Sequence, residues 1–260
     1  MDILSKIVAD KRKEVELKKS LIPASQLEHS VLFERKGGSL AQALRDSNTG
    51  IIAEHKRRSP SKNTINQNTN VGQVAKGYQN AGVCGMSVLT DIKYFGGSLE
   101  DLLLARACVT MPLLRKEFII DEYQLLEAKA YGADVVLLIA SILSRQEIKT
   151  LSEFAKGLDL EVLLEVHNEE ELHKSVMPSL DMLGVNNRNL KTFSVSLETS
   201  KTLSALIPDD FVKVSESGIS SVEAIQELKP YGYQGFLIGE NFMKTEDPGK
   251  SAAEFINQLK

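Results

Sequence analysis

From residue 50 to the C-terminus, short apolar runs rich in Val, Ile and Leu alternate with longer stretches of helical period. Most of these runs are apolar at every position, which is typical of parallel strands buried on both faces. They predict strands at residues 50–56, 85–90, 112–118, 134–140, 160–166, 181–187, 211–217 and 235–240. Several stretches between them begin with a helix-capping residue, such as Ser98 ahead of Glu100. The pattern therefore predicts eight alternating strand and helix units.

Eight such units joined by right-handed crossovers close into a (β/α)₈ barrel of the TIM type. The alternative is an open doubly wound sheet, but the GxGxxG fingerprint that usually follows its first strand is missing. No low-complexity linker divides the sequence. We therefore predict an α/β fold with a single domain over residues 1–260, in which 50–260 form the barrel and 1–49 form an N-terminal helical extension.

Composition excludes several other classes of protein. The 260 residues are 42% hydrophobic and 25% charged, which are globular proportions. The net charge of -4 lacks the basic surplus of a nucleic-acid-binding protein. The longest wholly apolar run, residues 135–140, is too short for a membrane span, and the N-terminus lacks the apolar core of a signal peptide. Two cysteines, Cys84 and Cys108, make no disulfide framework. We expect a cytoplasmic protein that binds neither nucleic acid nor membrane.

Charged and amide side chains occur near the C-terminal ends of five predicted strands, where apolar residues are expected. Because strand side chains alternate between faces, Glu54 and Lys56 share the face of Ile52. The same alternation directs Lys116, Glu165, Asn186 and Glu216 toward the barrel axis. Barrel enzymes build their active sites at this end from several strands. The residues thus predict a polar mouth, although ordinary ion pairs closing the barrel would explain any one of them.

The loops after predicted strands seven and eight carry a second signal. Ser217 and Gly218 lead into a helix, and Gly239 follows the last strand. These loops form the usual phosphate site of the fold, because free backbone amides and the helix dipole favour an anion. Arg188 and Ser59 could add a guanidinium and a hydroxyl to the same group.

The segment IIAEHKRRSPSKN, residues 51–63, resembles the signature of the indole-3-glycerol phosphate synthase family. Further segments resemble that family in order and spacing: SVLTDIKYFGGSLEDL, PLLRKEFIIDEYQ, GADVVLLIA, LLEVHNEEEL, LGVNNRNLKTF, VSESGIS and LIGENFMKTEDPG. The resemblance runs from about residue 40 to the C-terminus. It implies a (β/α)₈ barrel whose N-terminal helices help to cover the mouth.

The resemblance also implies a carboxy-lyase of tryptophan biosynthesis. Its substrate, 1-(2-carboxyphenylamino)-1-deoxyribulose 5-phosphate, would close a ring and lose carbon dioxide and water, giving indole-3-glycerol phosphate without a metal or organic cofactor. Carried over residue by residue, the resemblance assigns the general acid to Lys116 and the general base to Glu165, assisted by Glu54 and Lys56 and completed by Asn186 and Glu216. Phosphate contacts would come from Lys56, Ser59, Arg188, Ser217, Gly218, Gly239 and Glu240. The aromatic ring would lie against Phe95, Phe118, Leu138 and Leu190.

Chemistry supports the assignment independently, because an ammonium is a natural acid for a carbonyl that gains a proton as carbon attacks it. Four positions depart from the family pattern: His55, Asn63, Glu117 and Asn241. Asn63 stands where glycine is usual and Asn241 where serine is frequent, which bears on the first loop and on the phosphate contacts. Two other functions stay open: a phosphosugar aldolase that forms a Schiff base on Lys56 or Lys116, and a barrel that binds a phosphorylated metabolite without turnover. We expect a monomer, with association with other tryptophan-pathway enzymes left open.

Overall fold

Eight parallel strands close into a barrel in the order β1 to β8 in the computed structural model, which describes residues 3–60, 62, 64–190 and 192–260. The strands are β1 (Ile51–His55), β2 (Gly85–Leu89), β3 (Leu113–Lys116), β4 (Val135–Ile139), β5 (Glu161–Val166), β6 (Met182–Asn186), β7 (Val212–Glu216) and β8 (Tyr233–Ile238). The eight predicted strands and the barrel are confirmed. The last strand differs most from its prediction, because Gly239 and Glu240 already belong to the turn and helix that follow it.

Among the described residues, three helices precede the barrel: α1 (Ile3–Leu21), α2 (Ala24–Glu28) and α3 (Leu40–Arg45). The others are α4 (Val71–Ala81), α5 (Ile92–Phe95), α6 (Leu99–Cys108), α7 (Glu122–Ala130), α8 (Arg145–Gly157), α9 (Glu169–Ser175), α10 (Glu198–Ser204), α11 (Val222–Leu228), α12 (Glu240–Met243) and α13 (Pro248–Asn257). Short 3₁₀ helices occur at Ala140–Ile142 and Lys229–Tyr231. The predicted cap at Ser98 forms, since its side chain accepts the Asp101 N–H. Over the described ranges, no helix combines the length and the apolar character needed to cross a membrane.

The barrel wall separates two apolar clusters. Ile52, Leu114 and Leu163 belong to the inner cluster, whereas Ala53 and Leu164 pack in the outer cluster between the strands and the helices. This alternation follows the two-residue period of a strand. Glu54 and Glu165, two residues after Ile52 and Leu163, therefore point toward the barrel axis at its C-terminal end.

The N-terminal extension contacts both ends of the barrel. At the mouth, Ile7 of α1 joins the inner cluster, and Nζ of Lys11 lies 2.9 Å from Oδ2 of Asp91 and 3.2 Å from Oε1 of Glu117. At the opposite end, Leu40 of α3 is fully buried in the same inner cluster. The cover over the mouth was expected from the family resemblance, whereas the closure of the other end by α3 was not.

Candidate active site

A cluster of titratable side chains fills the mouth, with Lys116 at its centre. Lys116 forms an ion pair with Glu216, and its Nζ lies 3.8 Å from Oε2 of both Glu54 and Glu165. Nζ of Lys56 lies 2.7 Å from the other oxygen of Glu54. All six residues predicted for the polar mouth line one cavity of about 350 Å³: Glu54, Lys56, Lys116, Glu165, Asn186 and Glu216. We call this cavity the polar compartment.

In the polar compartment, burial and charged neighbours have opposite effects on the pKa values of Lys116 and Glu54. Burial by itself disfavours the Lys116 ammonium, but the carboxylates of Glu216, Glu54 and Glu165 outweigh it and hold the pKa of Lys116 above its usual range. Burial likewise disfavours the Glu54 carboxylate, yet Lys56 and Lys116 bring the pKa of Glu54 below its usual value. At neutral pH, Lys116 is therefore protonated and Glu54 is ionised.

Glu216 behaves differently from Glu54. Its full burial is the largest effect, the neighbouring Glu165 and Glu54 add to it, and together they outweigh Lys116 and raise the pKa of Glu216 to about 7. Its Oε1 is buried without a hydrogen-bond partner among the described residues. Glu216 can therefore exchange a proton near neutral pH.

We expect the raised pKa of Glu216 to make stability depend on pH. The folded chain binds this proton more tightly than the unfolded chain, whose carboxyl has the usual pKa of 4.5. The contribution of Glu216 to the free energy of unfolding is therefore complete below pH 4.5 and is lost as the pH rises toward 7. Denaturant unfolding of the wild type and of Glu216→Gln, measured from pH 4 to 8, tests this. The wild type should lose stability relative to the variant over that window, and a constant difference would contradict the assignment. Glu153→Gln, an exposed carboxylate on α8, is the control.

Most of the predicted phosphate residues also line the polar compartment: Lys56, Arg188, Ser217, Gly218, Gly239 and Glu240. Ser217 and Gly218 have left-handed φ values of 66° and 79°, which turn the chain sharply after β7. A Cβ at Gly218 would lie 2.4 Å from Cγ1 of Val195, and one at Gly239 would lie 2.5 Å from Oε1 of Glu54. Neither position therefore has room for a side chain unless its neighbour moves.

Three polar side chains near the predicted phosphate loops have other surroundings in the structure. Ser59 is absent from the polar compartment and lines the neighbouring apolar one described next. Oε1 of Glu240 lies 2.7 Å from Nζ of Lys62, and a carboxylate repels phosphate, so only the backbone of Glu240 suits an anion. The Asn241 side-chain amide donates to the carbonyl of Ser220 at 3.2 Å. Asn63 lies outside the residues that the structure describes.

A largely apolar compartment of about 170 Å³ opens beside Lys116. Three of the four residues predicted for the ring, Phe95, Phe118 and Leu190, line it. The ring centroids of Phe95 and Phe118 are 5.9 Å apart with the planes tilted by 43°. We call this cavity the ring compartment.

The structure corrects the prediction for Leu138, the fourth residue expected at the ring. It is fully buried in the outer cluster, on the side of β4 that faces the helices. Since strand side chains alternate, its neighbours Leu137 and Ile139 point inward, and both line the ring compartment.

The sequence reasoning also missed residues from outside the strands. Ile3, Leu4 and Ile7 of α1 and Phe193 of the loop after β6 all line the ring compartment. The helical spacing of the three α1 residues was a usable signal, because it already marked an apolar face on the first helix. Nothing in the spacing of Phe193 indicated its position.

The sequence is similar to that of known proteins over nearly its whole length. A sequence model of the family described as "Indole-3-glycerol phosphate synthase" matches residues 4–255. A protein of that name from Bacteroides thetaiotaomicron is 49% identical over 241 residues, which cover 93% of this chain and 92% of the relative. Another from Polaromonas naphthalenivorans is 39% identical over 261 residues, with 99% of each chain covered.

Solved structures with low sequence identity show the fold alone. 3-Hexulose-6-phosphate synthase from Salmonella typhimurium has a TM-score of 0.64 at 13% identity, covering 81% of this chain and all of the other. Thiamine phosphate pyrophosphorylase from Pyrococcus furiosus has a TM-score of 0.61 at 16% identity, covering 82% of this chain and 96% of the other. Both therefore support the barrel and carry no argument about the reaction.

Fold and mouth together define a (β/α)₈ barrel enzyme that acts on a small phosphorylated substrate. The family model and the relatives match nearly the whole chain, so they identify one family within this class of enzymes. The chain belongs to the indole-3-glycerol phosphate synthase family. It is a carboxy-lyase of tryptophan biosynthesis, which converts 1-(2-carboxyphenylamino)-1-deoxyribulose 5-phosphate to indole-3-glycerol phosphate, carbon dioxide and water.

Proposed function

We propose that Lys116 is the general acid and Glu165 the general base of this reaction, with Glu54 and Lys56 assisting. One observation carries the proposal: where the polar and ring compartments meet, an ammonium faces a carboxylate, with Nζ of Lys116 3.8 Å from Oε2 of Glu165. Both compartments are also lined by Lys56, Arg188, Ser217 and Glu240. A substrate with its phosphate in one compartment and its aryl ring in the other has its reacting carbons between them. Lys116 and Glu165 then lie beside the bonds that change, as an acid and a base.

Each step needs a proton at a defined atom. In ring closure, the aryl carbon bearing the carboxylate attacks the ketone carbon, and the ketone oxygen takes a proton from Nζ of Lys116. Loss of carbon dioxide then returns the bonding electron pair to the ring and restores aromaticity. In dehydration, the new hydroxyl leaves as water after protonation, and Glu165 removes a proton from the neighbouring carbon to complete the indole. Lys56, paired with Glu54, is the second cation available to assist the departing hydroxyl.

Binding is divided between the same compartments. Arg188 and Lys56, together with the backbone of the loops after β7 and β8, hold the phosphate in this proposal. Phe95 and Phe118 supply the flat apolar wall that an aryl ring needs, and α1 covers it with Ile3, Leu4 and Ile7. Asn186 supports the phosphate side, because its Oδ1 accepts the backbone N–H of Arg188 at 3.0 Å.

Replacing Arg188 by methionine should weaken substrate binding more than it slows the chemistry. A charge-assisted hydrogen bond contributes about 1.5 to 3 kcal/mol, so we expect KM to rise by about tenfold or more while kcat stays within about threefold. Steady-state kinetics with Arg145→Met as the control measures this, because Arg145 lies on α8 and donates to the carbonyl of Lys174. An unchanged KM in the Arg188 variant would remove Arg188 from the phosphate site.

Borohydride trapping tests the acid–base assignment against a Schiff-base aldolase. We expect no substrate-dependent adduct on Lys56 or Lys116 by mass spectrometry after borohydride treatment. A covalent adduct on either lysine would overturn the proposed roles.

In a turnover assay, activity is expected to persist in excess chelator, since the proposed steps need only protein side chains.

We also propose that residues 1–260 act as one domain and as a monomer of the cytoplasm. The pairing of Lys11 with Asp91 and Glu117 supports the first point, because it joins α1 to the barrel through buried charges. Cys84 and Cys108 are free thiols, as is usual in a reducing compartment. Light scattering of the purified chain against its mass of 28.7 kDa tests the monomer.

A further inference from the structure

A histidine whose side chain is largely buried lies between two carboxylates at the edge of the mouth. His167 directly follows β5, and its side chain is 8% exposed. Its Nδ1 lies 3.1 Å from Oε2 of Glu171 on α9, and its Nε2 lies 3.4 Å from Oε1 of Glu165. The same Glu171 oxygen accepts the backbone N–H of His167 at 2.9 Å. Glu171 therefore fixes the imidazole from one side, and the other ring nitrogen faces Glu165.

A second histidine, His173 on α9, shows what an ordinary pair looks like. His173 and Glu169 have the same four-residue spacing as Glu171 and His167, and their atoms are also 3.1 Å apart. Both side chains are more than 60% exposed, so that pair belongs to the solvated surface. Nε2 of His167, in contrast, is buried without a hydrogen bond among the described residues. A buried ring nitrogen without a hydrogen bond costs free energy, and a role in the active site would account for that cost.

Negative charge approaches His167 from three elements: Glu165 on β5, Glu171 on α9 and Glu216 on β7. Burial alone would favour the neutral ring, but the hydrogen bond to Glu171 and the fields of Glu165 and Glu216 raise the pKa of His167 above its usual value. With both nitrogens protonated, the ring can donate to Glu171 and to Glu165 at the same time.

The two oxygens of Glu165 have different neighbours. Oε1 faces Nε2 of His167, whereas Oε2 lies 3.8 Å from Nζ of Lys116. A carboxylate that is free to rotate would present either oxygen to the substrate. A donor at Oε1 removes this freedom and leaves Oε2 as the oxygen beside the general acid. Hydrogen bonds of this kind are often long in an empty site and shorten when substrate binds.

We propose that His167 is a positioning residue for the general base: Glu171 orients its imidazole, and its Nε2–H holds Oε1 of Glu165 so that Oε2 faces the substrate. This inference rests on the proposed role of Glu165. It adds a chain of three residues, Glu171, His167 and Glu165, that runs from α9 to the reacting carbons.

Two substitutions distinguish the roles of the two ring nitrogens of His167. The glutamine amide in His167→Gln can occupy the place of Nε2 and donate to Glu165, whereas the shorter asparagine amide in His167→Asn matches Nδ1 and donates only to Glu171. We expect His167→Asn to lower kcat on the order of tenfold, the size of one lost hydrogen bond to a charged group, with KM within about twofold. His167→Gln should recover most of that loss.

The pH profile provides a readout that a purely structural role would not change. Without the imidazolium, the base binds a proton more readily, so the acidic limb of kcat/KM should move to higher pH in both His167 variants. Lys116 on β3 and Lys174 on α9 also face this chain, from the Glu165 and Glu171 ends respectively, and they stay in place in every variant. His173→Asn and His173→Gln are the matched controls and should reproduce the wild-type profile.

Three outcomes would overturn the inference: unchanged kcat in His167→Asn, a larger loss in His167→Gln than in His167→Asn, or an unmoved acidic limb. Should His167→Asn fail to fold, Glu171→Gln carries the test, since it keeps the side-chain size and removes the charge that fixes the ring. Wild-type kcat and pH profile in Glu171→Gln would then overturn the inference. Glu165→Gln, run in parallel, isolates the proposed function: full kcat in that variant would mean that Glu165 is not the base at all.

Discussion

Replacing Lys116 by alanine is expected to lower kcat by about 100-fold or more, the scale of a lost general acid. Lys116 is the one lysine that pairs with Glu216 and also lies within 3.8 Å of both Glu54 and Glu165 among the described residues. Those carboxylates keep it protonated, so it holds a proton to deliver in ring closure. Steady-state turnover, followed by indole fluorescence, measures the loss.

The Lys116→Ala variant should still bind product analogues, because the ring compartment and the phosphate loops keep their other residues. Lys129→Ala provides a matched control, since Lys129 is also a buried lysine but its Nζ donates to the carbonyl of Arg35, outside the mouth. Full kcat in Lys116→Ala would remove Lys116 from the role of general acid. Equal losses in the two variants would indicate a general effect of removing a buried ammonium.

Glu54→Gln is the second substitution for which we expect a large effect, a fall in kcat of about 100-fold, the scale of a lost preorganised electrostatic contact. Oε1 of Glu54 lies 2.7 Å from Nζ of Lys56, and Oε2 faces Nζ of Lys116 at 3.8 Å, so one carboxylate orients both cations of the mouth. An amide has the same shape but holds an ammonium more weakly.

Asp10→Asn is the control for Glu54→Gln. Its carboxylate also lies 2.7 Å from a lysine, Lys93, but that pair is exposed, and exposed pairs contribute little. We expect wild-type kcat in Asp10→Asn. A Glu54→Gln variant with wild-type kcat would show that the orientation of Lys56 and Lys116 does not depend on this carboxylate.

The strand period explains why so much of the polar mouth could be predicted from sequence. Once β1, β3, β5, β6 and β7 are recognised, alternation alone directs one polar residue of each strand inward, and the parallel order brings them to one end: Glu54, Lys116, Glu165, Asn186 and Glu216. The same rule would have corrected Leu138, because Leu137 and Ile139 have the inward parity of β4.

Other features depend on distances that alternation does not set. Which carboxylate pairs with Lys116 depends on the stagger of strands around the barrel, and the sequence does not specify it. His167 lies one residue beyond β5, where the strand rule ends, so its approach to Glu165 follows from the turn into α9. Closure of the end opposite the mouth by α3 depends likewise on how the N-terminal extension wraps around the barrel.

Direct turnover by the purified chain is the measurement that tests the central claim. The wild type is supplied with 1-(2-carboxyphenylamino)-1-deoxyribulose 5-phosphate in excess chelator, and indole fluorescence and released carbon dioxide are recorded together. We expect continuous turnover with equal amounts of indole-3-glycerol phosphate and carbon dioxide. Tight binding of the product without any turnover would contradict the account and would indicate a barrel that only binds a phosphorylated metabolite.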